Sequence, residues 1–247
     1  MVDVREVMGT VVSVDLRDAG SASTTAAEEV FGWLHDVDTR FTTFSDDSEL
    51  RRFDQGRLTL AECSADLADV LECCEALRAE TGGAFDPRAR GTLDPSAFVK
   101  GWAVERAAHL LETSGIRRYC LNAGGDVRVG AGPENGAHWQ VGIRHPHSVD
   151  QIAAVVGVLH AAVATSGAYE RGTHILDPRT RRPPLGVLST TVVGPDLGLA
   201  DAYSTAAFAM GREGIGWIAG LPHYAGLAIH DDATTLSTPA FDALRTA

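Results

Sequence analysis

The hydrophobic periodicity of the chain changes near Arg118, and this change narrows the possible folds more than any other feature. Before it, apolar residues recur at helical spacing over residues 24–37, 65–81 and 99–114. After it, short β-rich segments are separated by glycine turns and lead to a hydrophobic run over 152–164. Helices followed by mostly antiparallel strands predict an α+β fold.

Further elements are predicted towards both ends of the chain. Alternating residues over 8–16 predict a strand ahead of the first helix, and residues 188–194 predict another. A helix of small residues is expected over 200–210, followed by a pair of strands around 226–230. A strand, a helix and a β-rich stretch thus occur in this order about twice, which is consistent with an internal duplication. The length favours a single domain over 1–247.

The composition argues against several classes of partner and location. With 21 basic and 33 acidic residues, the net charge of −12 opposes binding to nucleic acid or anionic lipid. The four cysteines form no CxxC pair, which predicts reduced and mostly buried thiols. The first ten residues lack the apolar run of a signal peptide, and no segment approaches the length of a membrane span. We therefore expect a cytoplasmic protein that neither inserts into membranes nor binds nucleic acid.

Asp201 and Thr205 form a candidate cation site. They are four residues apart in the predicted helix 200–210, so their side chains lie on one face, one turn apart. Magnesium prefers oxygen ligands, keeps several waters and is commonly held by few protein groups together with substrate phosphates. The spacing alone favours a structural role, since such pairs are common on helices. Asp201 would then favour the positive end of the helix, and Thr205 would bond back to a helix carbonyl.

Two glycine pairs, Gly82-Gly83 and Gly124-Gly125, each precede an aspartate, Asp86 and Asp126 respectively. Glycine lets a backbone approach a planar or phosphorylated ligand closely, although each pair is also explained by a sharp turn. Neither pair fits the GxGxxG or GxxxxGK[ST] patterns, so a Rossmann turn and a P-loop are not supported.

His174 is a candidate general base. It lies in the segment TSGAYERGTHILDP at 165–178, where hydroxyl, aromatic, basic and carboxylate groups are crowded between glycines and a proline. An imidazole with a pKa near neutrality can take a proton from an attacking hydroxyl. Alternatively, His174 only caps the loop through a hydrogen bond. No GxSxG motif surrounds any serine, so a nucleophilic serine hydrolase is not favoured.

Seven segments taken together resemble the ApbE family of FAD:protein FMN transferases, in the order of that family and over nearly the whole chain. They are MGT at 8–10, RFTTFSDDSELRRF at 40–53, GGAFDP at 82–87, LDPSAFVKGWAVERA at 93–107, LNAGGDV at 121–127, TSGAYERGTHILDPRT at 165–180 and ADAYST at 200–205.

The resemblance implies an activity and its partners. The family splits FAD and attaches FMN through its phosphate to a threonine of a target protein, releasing AMP and requiring magnesium. The expected partners are therefore FAD and a protein with an acceptor threonine, met in the cytoplasm. Phosphoryl transfer needs mainly positioning and charge neutralisation, together with a base for the incoming hydroxyl.

The resemblance also assigns residues to the site. Asp201 and Thr205 match the metal ligands of the family, Ala97 the position that offers a backbone carbonyl, and Ser204 a more variable ligand position. His174 matches the proposed general base. Positions that contact FAD in the family are occupied here by Met8, Phe44, Ala84, Phe85, Asp86, Asp94, Lys100 and Leu176. Phe44 would stack on a ring of FAD, and Lys100 would offset phosphate charge.

The chain departs from the family pattern at several positions. Phe44 replaces a tyrosine, Pro95 an apolar residue, and Arg181 a glycine, which predicts a different local backbone. Only seven residues separate Asp86 from Asp94, where the family has a much longer segment close to the flavin.

Two other functions remain compatible with the same residues. One is an FAD pyrophosphatase that forms FMN and AMP, with water as the nucleophile at the same metal site. The other is a non-catalytic FAD-binding module.

Overall fold

An eight-stranded antiparallel sheet runs through the protein. The computed structural model describes residues 1–18, 20–134, 136–167 and 175–246, without the side chains of residues 21 and 149. In the order in which they lie side by side, the strands of this sheet are Val2–Val7 (β1), Thr10–Leu16 (β2), Tyr119–Ala123 (β3), Asp126–Val129 (β4), Ala161–Gly167 (β7), Ser189–Gly194 (β8), Ala225–Ile229 (β9) and Thr235–Ser237 (β10). Strands β5 (Trp139–His145) and β6 (Ser148–Val158) form a separate hairpin.

The described helices flank this sheet. They are Ser23–Phe41 (α1), Glu49–Asp54 (α2), Ala65–Glu80 (α3), Ser96–Thr113 (α4), Leu197–Ala209 (α5), Gly214–Ile218 (α6) and Pro239–Asp242 (α7). Short 3-10 turns occupy Gly20–Ala22, Leu60–Glu62 and Gly211–Glu213. The predicted α+β fold with largely antiparallel strands is confirmed.

Strand alternation separates two cores on opposite faces of the sheet. In β4, Asp126 and Arg128 contact helix α4, whereas Val127 and Val129 join a second apolar cluster. The larger cluster is built from α1, α3, α4 and α5 against one face. The smaller cluster joins the other face to the β5–β6 hairpin and to Phe241 of α7. The helices that carry the candidate site therefore lie on the face away from the hairpin.

Most predicted elements are found with shifted ends. The first helix covers Ser23–Phe41 and the helix predicted over 99–114 begins earlier, at Ser96. The run over 152–164 is not one strand but β6 and β7, which are joined at His160 with a φ of +46°. Strand β1 and the short helix α2 are additional elements that sequence periodicity did not predict.

The cysteines are all unpaired, but their burial differs from the expectation. Only Cys74 is buried, while Cys63 and Cys120 are half-buried and Cys73 is exposed. Burial raises the pKa of Cys74 to about 12, so its thiol stays protonated at neutral pH. The prediction of mostly buried thiols is therefore wrong, because residue 73 faces outward from α3 while residue 74 packs inward. Within the described residues, every helix is too short or too polar to cross a bilayer.

Candidate active site

Helix α5 carries Asp201 and Thr205 inside the helix, not at its start. The helix begins at Leu197 and is capped by Asp196, whose Oδ1 accepts a hydrogen bond of 2.8 Å from the backbone N–H of Leu199. Asp201 is thus in the second turn and buried, beyond the positions at which a carboxylate serves the helix terminus. The structural explanation of Asp201 as a helix-start residue does not hold.

Lys100 of α4 connects the buried aspartates of two other elements. Its Nζ forms an ion pair of 2.9 Å with Oδ2 of Asp201, and it also contacts Oδ2 of Asp126 on β4. Both carboxylates are almost fully buried, whereas the Lys100 side chain is 25% exposed. A buried charge needs a partner, and one ammonium group here serves two carboxylates.

A glycine brings α4 and α5 close enough for this ion pair. Gly101 follows Lys100, and a Cβ built on Gly101 would overlap the carbonyl oxygen of Leu197 and lie 3.0 Å from Cβ of Asp201. From the other helix, a Cβ on Gly198 would lie 3.2 Å from backbone atoms of Trp102. The two helices therefore cross through glycines, and this crossing positions Asp201 beside Lys100.

Asp126 reaches the site through a tight hairpin turn. Gly124 and Gly125 join β3 to β4, with φ values of +62° and +101°, as a two-residue turn between paired residues Ala123 and Asp126 requires. Oδ1 of Asp126 accepts a hydrogen bond of 3.0 Å from the backbone N–H of Thr165 on β7. The glycine pair was noted in the sequence, but Asp126 was not predicted as a site residue. Its position directly after the pair was the available signal.

Three hydroxyl groups meet between β7 and α5. Oγ of Ser166 lies 2.8 Å from Oγ of Ser204 and 3.0 Å from Oγ1 of Thr205. Ser204 is fully buried and its hydroxyl also donates to the carbonyl of Asp201 at 2.9 Å. Ser166 is one of the serines that lack a GxSxG motif, and no role in the metal site was predicted for it. Its hydroxyl instead fixes the two α5 hydroxyls that were expected to face the metal.

This donor set fits a hard cation. The side chains are one carboxylate and three hydroxyls, all oxygen donors of the kind that magnesium prefers over nitrogen or sulfur. No cluster of three or more His, Cys, Asp or Glu side chains suited to a metal occurs among the described residues. A hydroxyl-rich site of this kind depends on water and substrate phosphates for its remaining ligands.

A buried ion pair holds the supporting elements together. Nε of Arg128 on β4 donates to both carboxylate oxygens of Glu105 on α4, at 2.9 and 2.8 Å. Oε2 of Glu105 also accepts from the N–H of Leu197, the first residue of α5, at 2.8 Å. Glu105 thus ties α4, β4 and α5 together next to Lys100, Asp126 and Asp201.

Tyr203 joins α5 to the end of α3. Its hydroxyl donates to Oε2 of Glu80 at 3.0 Å, two residues before the Gly82-Gly83 turn. Burial, together with this hydrogen bond, raises the pKa of the Tyr203 phenol, so it remains a donor at neutral pH. Helix α5 is therefore anchored on both sides of the candidate site.

Met8, an expected FAD contact, lies in a strained turn between β1 and β2. Met8 and Gly9 have φ values of +56° and +67°, and the Met8 N–H donates to Oδ2 of Asp38 at 3.2 Å. A left-handed backbone is uncommon for a residue with a side chain. The Gly124 N–H bonds to the carbonyl of Val11 at 3.0 Å, so this turn adjoins the turn before Asp126.

The other expected FAD contacts differ widely in exposure. Phe44 is 98% exposed on the connection between α1 and α2, whereas Ala84 and Phe85 are buried in the larger core. Asp86 and Leu176 are half-buried, and Asp94 is exposed just before α4. Oδ1 of Asp86 accepts from the Arg88 N–H at 2.7 Å.

The described contacts bring only part of the predicted site together. Lys100, Asp201, Ser204 and Thr205 are linked directly or through Ser166, and Ala97 lies one helical turn before Lys100. No described polar contact links the other expected FAD positions to this group. His174, the expected general base, lies outside the described residues.

Pro95 and Arg181, two departures from the family pattern, have different backbone conformations. Pro95 directly precedes α4, where a fixed φ is compatible with the start of a helix. Arg181 has a φ of +59°, within the region that favours glycine. The prediction that the local backbone differs from that of the family stays a prediction at both positions.

Comparison of the chain with known proteins identifies its family. The model of the ApbE family matches residues 8–91 and 88–227, which together cover most of the chain. The chain belongs to the ApbE family. The two matched segments meet at 88–91, within the short connection between Asp86 and Asp94.

Curated ApbE relatives share a name. The FAD:protein FMN transferase of Rhodobacter capsulatus is 39% identical over 156 residues, which cover 60% of this chain and 30% of that protein. The FAD:protein FMN transferase of Haemophilus influenzae is 28% identical over 274 residues, covering 83% of this chain and 79% of that protein. The chain thus spans about a third of the first relative and most of the second.

Solved structures of ApbE proteins share the fold. The ApbE protein from Thermotoga maritima has a TM-score of 0.87 at 22% identity and covers 100% of this chain and 99% of its own. The flavin transferase ApbE from Vibrio cholerae has a TM-score of 0.85 at 24% identity, with 99% and 98% coverage. The mixed helices and antiparallel sheet described above are therefore the ApbE fold.

Proposed function

We propose that the protein is a magnesium-dependent FAD:protein FMN transferase, which attaches FMN by a phosphoester bond to a threonine of a target protein and releases AMP. The observation that carries this proposal is the convergence of Asp201, Lys100 and the hydroxyls of Ser204 and Thr205 between α4, β7 and α5. The name shared by the curated relatives supports the same activity.

Asp201 and Thr205 would hold the magnesium ion, with Ser204 and the backbone carbonyl of Ala97 as further oxygen donors. When bound, the ion would neutralise the pyrophosphate of FAD and so stabilise charge that develops at the leaving AMP. Ser166 keeps the two α5 hydroxyls in place through its bonds of 2.8 and 3.0 Å. Ser166 and Ser204 are buried and Thr205 is half-buried, so the three hydroxyls are already positioned before the ligands arrive.

The remaining residues would bind FAD and move one proton. Lys100 would face the phosphates, and Phe44 would stack on a ring of the flavin or the adenine. Met8, Asp86, Asp94 and Leu176 would complete the binding surface, and the buried Ala84 and Phe85 would support the turn that presents Asp86. The threonine hydroxyl of the target attacks the phosphorus of the FMN half, the bond to AMP breaks, and His174 accepts the hydroxyl proton.

The product distribution tests the proposal. Purified protein is incubated with FAD and magnesium, with and without a peptide that contains a flavinylation-motif threonine, while AMP, free FMN and peptide mass are followed together. AMP release that accompanies a mass gain of one FMN on the peptide is expected. AMP with free FMN only, in the presence of the peptide, would indicate the pyrophosphatase instead. FAD binding without any release of AMP would indicate a non-catalytic FAD-binding module.

The shortened connection between Asp86 and Asp94 is a specific reason to consider the pyrophosphatase activity as well. A shorter segment beside the flavin admits water more readily if it leaves the attack position open. The ratio of free FMN to peptide-bound FMN therefore measures how far water competes with the acceptor.

The assignment of His174 as the base makes a separate prediction. His174→Ala should lower kcat by about 10²–10⁴-fold, because general base catalysis is lost, while FAD affinity changes little. Steady-state rates and FAD titration on the same preparation measure the two effects. An equal loss of rate and affinity would assign His174 a structural role.

A further inference from the structure

Lys100 and a cation bound at Asp201 would compete for the same carboxylate oxygen. The Lys100 ammonium forms its 2.9 Å ion pair with Oδ2 of Asp201, the carboxylate expected to hold magnesium. The same ammonium contacts Oδ2 of Asp126, and both carboxylates are buried. The three formal charges of this trio sum to −1, so Lys100 alone does not neutralise both carboxylates.

We propose that Lys100 is an internal competitor for the cation site and that Asp126 sets the strength of this competition. The proposal rests on the function proposed above and adds positioning roles for Asp126 and Lys100. An ammonium group is a compact point charge on a flexible stem with three donors, so Lys100 can release Asp201 without losing its other partner. Asp126 retains Lys100 after Asp201 has been taken by the metal.

The anchoring of Asp126 makes this division of partners possible. Oδ1 of Asp126 is fixed by the Thr165 N–H at 3.0 Å, so its Oδ2 keeps a constant position next to Lys100. Asp201 is fixed by the close crossing of α4 and α5 at Gly101. Lys100, which is partly exposed, is the one flexible member of the three and is the group that would move.

The proposal predicts opposite effects for two substitutions. Lys100→Met leaves two buried carboxylates without their shared cation, so the flavin-free protein should bind Mg²⁺ or Mn²⁺ about tenfold more tightly. Asp126→Asn leaves Lys100 with Asp201 as its charged partner in this cluster, so cation binding should weaken by a similar factor of about ten. Titration calorimetry of the FAD-free protein with each metal ion, all variants in the same buffer, measures both affinities.

Two further variants separate this proposal from the proposed function. Lys100→Arg keeps the positive charge and should give no gain in cation affinity. Asp201→Asn should abolish cation binding in every background. If Asp201→Asn leaves binding intact, the proposed metal site itself is wrong. If Asp201→Asn abolishes binding but Lys100→Met does not tighten it, the competition by Lys100 is overturned and the metal site stands.

Folding of the variants is monitored in the same experiment. The thermal midpoint of Lys100→Met should be lower than that of the native protein without metal and should rise more steeply with added Mg²⁺, because binding to the folded state stabilises it. If Lys100→Met does not fold, the cation affinity of Asp126→Asn tests the proposal instead. Unchanged or tighter cation binding by folded Asp126→Asn would overturn the proposal.

Discussion

At the scale of single residues, Ser166 is predicted to control the metal site through two neighbours. Ser166→Ala removes the hydrogen bonds to Ser204 and Thr205, so the Thr205 hydroxyl is free to turn away from the cation. One lost hydrogen bond is worth about 0.5–1.5 kcal/mol, which corresponds to roughly a threefold to tenfold loss of Mg²⁺ affinity. Titration of the flavin-free protein with Mg²⁺ measures this loss of affinity.

The adjacent residue provides the control for this prediction. Thr165 lies on the other face of β7, where its hydroxyl is 2.9 Å from that of Thr191. Thr165→Val removes this bond but keeps the backbone N–H that donates to Asp126. It should lower stability slightly and leave Mg²⁺ affinity unchanged. Equal losses of affinity in the two variants would show that Ser166 acts only through general packing of β7.

The residues of the site were predictable from sequence to different degrees. Asp201 and Thr205 could be paired because helical spacing is a local property of the chain. Asp126 and Ser166 could not be paired with them, since their contacts cross between strands and helices far apart in sequence. The hydrogen bond from Thr165 to Asp126, for example, joins residues 39 positions apart. It depends on the pairing of β4 with β7, which are neighbours because the intervening β5–β6 hairpin is not part of the main sheet.

At the scale of elements, the crossing of α4 and α5 through Gly101 yields a prediction. Gly101→Ala adds a methyl group that overlaps the Leu197 carbonyl, so α5 must move away from α4. Overpacking of this kind costs about 1–3 kcal/mol of unfolding free energy. Cation affinity should fall as well, because the same displacement separates Asp201 from the start of α4. Denaturant unfolding and Mg²⁺ titration measure the two effects.

A second helical glycine serves as the matched control. Gly32 lies inside α1, and no atom lies within 4 Å of a Cβ placed on it. Gly32→Ala should therefore stabilise the protein by about 0.5–1 kcal/mol through the higher helix propensity of alanine, without any effect on cation binding. If Gly101→Ala is as well tolerated as Gly32→Ala, the close crossing does not determine the position of Asp201.

Element ends were harder to predict than element types. The start of α5 was placed at Ala200, which left Asp201 at the helix terminus and made a purely structural explanation attractive. The actual start at Leu197 depends on the Asp196 side chain and on Glu105, which accepts from the first helical N–H. The contribution of Glu105 comes from 92 positions away, so no local pattern could reveal it. The short helix α2 lacks the length needed to show a helical period.

At the scale of the whole molecule, strand order is the property that sequence patterns did not supply. Alternation identified most of the strands, but it does not state which strands are neighbours. The β5–β6 hairpin leaves the main sheet and covers its other face, so β4 pairs directly with β7. This arrangement gives the sheet two cores, with the candidate site on one side only. The internal duplication stays a prediction.

The two cores predict that stability and ligand binding can be separated. Phe241 of α7 is fully buried in the smaller core, on the face opposite to Asp201 and Lys100. Phe241→Ala should cost about 3–5 kcal/mol of unfolding free energy, because a large cavity is left behind. The affinities of the folded protein for FAD and Mg²⁺ should nevertheless remain within about twofold of the native values, a difference of ~0.4 kcal/mol.

Phe85 of the larger core provides the matched comparison for Phe241. Phe85 is equally buried, but it follows the Gly82-Gly83 turn on the helical side of the sheet. Phe85→Ala should cost a similar amount of stability and also weaken FAD binding, since the turn that presents Asp86 loses its support. Both variants are compared below their unfolding transitions by denaturant titration and FAD fluorescence. If Phe241→Ala weakens FAD as strongly as Phe85→Ala does, the two faces of the sheet are coupled and the smaller core is part of the binding machinery.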